Sequence, residues 1–89
     1  MDDRYEREEA KDALGNQIKE GRWYLRERET RLPSLCFIKR YDESHGGFWG
    51  KQRVGESLLT LEMLRSCRPM DEEDLRWAAR NLFRVGCTA

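Results

Sequence analysis

Two stretches decide how this chain is read: Leu35-Cys36-Phe37-Ile38-Lys39-Arg40-Tyr41 and Phe48-Trp49-Gly50-Lys51-Gln52-Arg53-Val54. Both are rich in strand-forming residues, and the first follows Pro33. Between them lie Asp42-Glu43-Ser44-His45-Gly46-Gly47, residues that favour turns. The pair therefore reads as an antiparallel hairpin. Alternation then assigns sides. Phe48, Gly50, Gln52 and Val54 share one face of the second strand, and Trp49, Lys51 and Arg53 share the other. Phe48 and Val54 are expected in the core, while Trp49 travels with two cations.

Working upstream, Arg22–Arg28 is expected to add a strand. Residues 2–20 read as a helix, because their charges sit in helix-forming Glu, Lys and Arg and because Ala10, Leu14 and Ile18 recur at i, i+4, i+8. A competing reading runs that helix on to about residue 30. It places Gly15 and Gly21 inside the helix, at about 1 kcal/mol each, and turns Trp23 to solvent. Downstream, Ser57 or Gly55 is expected to cap a helix carrying Leu58, Leu59, Leu61, Met63 and Leu64, which spread around most of a helical wheel. Pro69 ends that region. Asp71 is expected to cap a last helix, with Glu72, Glu73 and Asp74 complementing its dipole and Leu75, Ala78, Ala79, Leu82 and Phe83 as its apolar stripe. Gly86 suits its end. The predicted fold is α+β: an N-terminal helix, a small antiparallel sheet over about 22–54, and two C-terminal helices on one sheet face. The alternative is an all-α bundle.

The 89 residues predict one domain, 1–89, with a small core. The 17 Lys+Arg balance 17 Asp+Glu, but unevenly along the chain. Residues 1–13 hold six acids against three bases, and residues 22–53 hold eight bases against four acids. Zero net charge argues against bulk attachment to nucleic acid, which favours a basic domain. Cys36, Cys67 and Cys87 are odd in number and widely spaced, a pattern of free thiols in a reducing compartment. No apolar run reaches the roughly 18 residues of a membrane span. The acidic start, Met1-Asp2-Asp3-Arg4, lacks the apolar stretch of a secretory signal. The expectation is a cytoplasmic protein without membrane contact.

Chemistry-bearing patterns are sparse. His45 and the three cysteines lack the close Cys pair that structural zinc demands. Cys36 and His45 could face each other across the hairpin as nucleophile and base, but Cys36 sits in an apolar run that would raise its pKa. Gly46-Gly47-Phe48-Trp49-Gly50-Lys51 lacks phosphate-loop spacing and runs from turn to strand rather than from strand to helix. No enzyme activity, cofactor or metal is predicted.

What remains is an interleaving of basic and aromatic side chains at Lys39, Arg40, Tyr41, Trp49, Lys51 and Arg53. A second such group is Arg76, Trp77 and Arg80, with Trp77 opposite the apolar stripe of its helix. Arginine beside exposed tryptophan is typical of binding hot spots. The predicted function is a small protein-binding regulator or inhibitor, of the type mobile elements often encode, acting by occupying a partner's surface. The alternative is a nucleic-acid-binding module in which rings stack on bases and cations meet phosphates. A homodimer is expected to cover the exposed apolar surface.

Overall fold

The computed structural model describes residues 4–29, 32–53 and 55–83, with the backbone alone for Leu82 and Phe83. Its main element is a five-stranded antiparallel sheet: β1 (Arg22–Arg26), β2 (Ser34–Asp42), β3 (Gly47–Gln52), β4 (Gly55–Leu59) and β5 (Arg68–Pro69). The spatial order is β4-β3-β2-β1-β5, so the first four strands meander and the fifth returns to the opposite edge, beside β1. One helical turn, α1 (Leu61–Arg65), follows β4. A short helix, α2 (Glu72–Ala78), follows β5 and runs on into a π-helical turn at Ala79–Phe83.

The register separates the sheet into two chemically different faces. Tyr24, Cys36 and Gln52 align across β1, β2 and β3, as do Ile38, Gly50 and Ser57 across β2, β3 and β4. With Phe48 and Leu59 they form the inner face, where Tyr24, Ile38, Phe48 and Leu59 are all at most 2% exposed. The other face carries Trp23, Leu25, Leu35, Phe37, Trp49, Lys51, Glu56 and Leu58. A β-bulge sets Lys39 and Arg40 together against Trp49, which adds both cations to this second face.

The inner face is covered from both ends of the chain. Tyr5, Ala10 and Ile18 pack on it from the N-terminal segment, and Leu64 and Cys67 from α1 and the residues after it. Gly50 is needed where the covering is tightest: a Cβ there would lie 2.6 Å from Leu59 Cδ1 and 3.3 Å from the Phe37 carbonyl oxygen. Among the described residues, the second face is covered only near β1 and β5. There Ala78 of α2 packs with Leu25 and Met70, flanked by Trp23 and Leu35. Arg68 ties α2 down through a two-pronged contact with Asp74, at 2.6 and 3.1 Å.

This architecture overturns the predicted α+β arrangement and the all-α bundle alike. Residues 4–20 form no α-helix: a short 3₁₀ turn at Arg7–Glu9 leads into a tight reversal closed by the bridge between Lys11 and Gln17. The Asp12 carboxylate accepts from the amides of Leu14 and Asn16 at 2.9 and 3.0 Å. Gly15 then takes φ +83°, a left-handed conformation that breaks a helix. Ala10 and Ile18 are buried as the periodicity required, but Leu14 sits at the tip of the reversal, 66% exposed. The first of the two expected C-terminal helices begins as a strand and keeps only one helical turn, Leu61–Arg65. Gly55–Leu59 pairs with β3, and Thr60, not Ser57 or Gly55, caps the single turn that follows.

The expected strand at 22–28 is present as Arg22–Arg26, and the last helix begins at its expected cap. Its apolar stripe is corrected: Ala78 is buried, whereas Leu75 is 39% exposed and Ala79 is exposed. Val54, Gly86 and Cys87 lie outside the described residues, as do the side chains of Leu82 and Phe83.

Candidate interaction face

The predicted hairpin is β2–β3, and its alternation is as read: Phe48 is fully buried and Trp49 half-buried on the opposite face. Around Trp49 the second face presents Phe37 and Leu58, also half-buried, with Lys39, Arg40, Lys51 and Glu56 exposed. Among the described residues, neither hydrophobic cluster includes Phe37, Trp49 or Leu58. The aromatic row begins under α2, since the Trp23 and Phe37 rings lie 5.3 Å apart at a tilt of 54°. It continues diagonally to Trp49 on the next strand.

Trp49 is held in place by the turn that precedes it. Its Nε1–H donates to Asp42 Oδ2 at 2.8 Å, and its ring and the His45 imidazole pack edge to face, with centroids 5.7 Å apart. Asp42 is the hub of this turn. Its Oδ1 accepts from the Ser44 hydroxyl at 2.7 Å and the Ser44 amide at 3.0 Å, while Oδ2 lies 2.7 Å from His45 Nδ1. These hydrogen bonds, Ser44 first and Trp49 next, hold the Asp42 carboxyl well below the usual carboxylate range. The arrangement fixes an aromatic side chain whose ring is large enough to anchor a contact.

The cations are not equally free. Lys39 Nζ pairs with Glu56 Oε2 at 3.2 Å, and Arg40 Nη1 lies 3.7 Å from Asp42 Oδ2. Lys51 stands between Phe37 and Glu56 in the register, and among the described residues it makes no ion pair. The face thus mixes an apolar row with charges of both signs. Its character is amphipathic rather than uniformly basic.

Not every predicted residue joins this face. Tyr41 is on the inner side: its ring packs edge-on against Phe48 at 5.2 Å, and its hydroxyl donates to the Tyr5 carbonyl at 2.7 Å. Arg53 is exposed in the turn after β3, beyond the strand. Arg76, Trp77 and Arg80 are exposed on α2 and its continuation, and Arg76 pairs with Glu72 at 2.8 Å. Phe37, Leu58 and Trp23 were missed. Their signal is cross-strand register, which no single run of sequence displays. Cys36 and His45 are not brought together, for Cys36 is buried opposite Gln52 while His45 sits in the exposed turn.

No family model matches the chain, and no curated protein or solved structure matches it. Among the described residues, no group of three or more His, Cys, Asp or Glu side chains could hold a metal ion. No helix among them is long and apolar enough to cross a membrane.

Proposed function

We propose that this chain is a non-enzymatic protein-binding regulator that acts by laying the open half of its second sheet face on a partner. The observation that carries the reading is the row Phe37, Trp49 and Leu58, left half-buried on its strands while Tyr24, Ile38, Phe48 and Leu59 of the inner face are buried. Ring-rich rows on rigid elements lose little conformational freedom when covered, which is what binding hot spots need. The mixed charges around the row favour a protein surface over a phosphate backbone. Lys39 and Arg40 already face carboxylates, so little unbalanced positive charge remains to release counterions.

The experiment compares wild type with Trp49→Ala and Lys51→Glu as baits for proteins of the native host, with circular dichroism as the check on folding. Loss of the same captured partner from both folded variants supports the reading. Undiminished capture removes it.

A nucleic-acid module is the second reading, favoured by the diagonal placement of Phe37 and Trp49 beside Lys51, which resembles a stacking platform. Retardation of single-stranded probes that weakens steeply with salt would support it instead. Self-association belongs to the proposal as well, because Leu75 and Trp77 are each 39% exposed on a short helix. Light scattering showing one copy from micromolar to hundred-micromolar concentration would remove the homodimer.

A further inference from the structure

The two edges of the sheet are built differently. At one edge β5 is two residues long and contains Pro69, which has no amide to offer a further strand. At the other edge β4 runs for five residues, Gly55–Leu59, with no proline and no bulge in its pairing with β3. Its one charged side chain, Glu56, is already paired with Lys39 at 3.2 Å. Gly55 and Glu56 are exposed, and Ser57 and Leu58 are half-buried.

Tyr5 fixes which way the β4 backbone faces. Its hydroxyl bonds to both the Phe48 amide and the Leu59 carbonyl, so these two groups point at each other between β3 and β4. Along an antiparallel strand the backbone groups alternate in direction. Leu59, Ser57 and Gly55 therefore address β3, while the N–H and C=O of Glu56 and Leu58 address the outer edge. Among the described residues, no backbone group meets Glu56 or Leu58 there.

We propose that β4 pairs antiparallel with β4 of a second copy about a two-fold axis at Ser57, joining the two sheets into one. This gives the self-association named above a surface other than α2. The edge is self-complementary in this register alone. Glu56 of each copy then faces Leu58 of the other, and every outward N–H of both residues meets an outward C=O. An axis at Glu56 would set two like charges directly opposite. An axis at Leu58 would set Glu56 against Thr60, which has left the strand to cap α1. With the axis at Ser57 the inner side of the seam holds only two small serine side chains. On the other side the row Phe37, Trp49 and Leu58 runs on into its counterpart.

Sedimentation velocity of the full chain over a range of concentrations tests this, comparing wild type with Glu56→Pro, Glu56→Lys and Trp77→Ser, each checked for folding by circular dichroism. Proline at 56 removes only an outward amide, which an edge strand tolerates. It deletes one seam bond from each copy and should weaken the dimer at least about tenfold. Glu56→Lys gathers cations beside Lys39 and Lys51 at the seam and should weaken it as well, which keeps the test decisive if the proline variant misfolds. Trp77→Ser should leave the dimer intact. The axis is read with Ser57→Cys in a Cys87→Ser chain, which should form a disulfide-linked dimer on oxidation where Arg76→Cys does not. One copy at every concentration would overturn the seam and self-association together. A dimer that survives in the folded Glu56 variants, or that cross-links at 76 and not at 57, would overturn the seam and leave the α2 surface as the site of self-association.

Discussion

The Tyr5 hydroxyl accepts a hydrogen bond from the amide of Phe48 at 3.0 Å and donates one to the carbonyl of Leu59, the cross-strand partner of Phe48, at 2.5 Å. A side chain from near the start of the chain thus occupies a rung of the β3–β4 ladder. The ring of the same residue is 5% exposed in the core.

Tyr5→Phe keeps the ring and removes that rung. Both Phe48 N–H and Leu59 C=O then face each other across a gap with nothing between them, and leaving buried polar groups unpaired costs about 1–3 kcal/mol. Urea denaturation should show this loss with an unchanged slope. An indifferent Tyr5→Phe would mean that the two strands close directly.

The two sides of β3 should answer differently to truncation. Phe48→Ala empties a fully buried site and should cost about 3–5 kcal/mol. Trp49→Ala should cost much less, because its ring is only half-buried, and should instead weaken partner capture. The check is denaturation of both variants beside the capture assay. A severely destabilised Trp49→Ala would make its contacts with Asp42 and His45 structural rather than preparatory.

Gly50→Ala asks whether the close approach of Leu59 is real. The added methyl meets Leu59 Cδ1 and the Phe37 carbonyl, and Leu59 is itself buried. Overpacking of this kind costs about 1–3 kcal/mol, measurable as a lower denaturation midpoint.

Acid should loosen the hairpin turn. The Asp42 carboxyl is depressed below its ordinary value of 3.8 by bonds made only in the folded state. The folded form therefore holds its proton more weakly than the unfolded form. The stability this confers is complete above the ordinary carboxylate range and is lost as the pH falls through that range and below it. Asp42→Asn should accordingly be less stable than wild type at neutral pH, with the gap narrowing on acidification. A gap that stays constant with pH would exclude Asp42 as its source.

The hairpin and the first strand could be read because strand alternation repeats every two residues, so Phe48 and Trp49 are told apart within a few positions. The N-terminal segment could not be read that way. Ala10 and Ile18 are eight positions apart, a spacing that aligns two side chains on a helix and equally well across a tight reversal. Leu14 is the residue that distinguishes the two, and only its exposure at the tip does so. The stretch Leu58–Leu64 misled for a related reason. Apolar residues scattered around a helical wheel are also what a strand followed by one turn produces, and Leu59 and Leu64 reach the same core by different elements. Of the open face, Trp49, Lys51, Lys39 and Arg40 were legible along the chain. Phe37 and Leu58 were not, because they join the face through pairing with other strands.

The Tyr5 rung also bears on how the chain assembles during synthesis. The segment that carries Tyr5 leaves the ribosome ahead of both groups it bridges, which belong to residues 48 and 59. Ala13 likewise waits for the carbonyl of Cys67. Residues 4–20 therefore have no docking site until most of the sheet has emerged, and on a stalled nascent polypeptide they should gain protection from protease later than the β2–β3 hairpin.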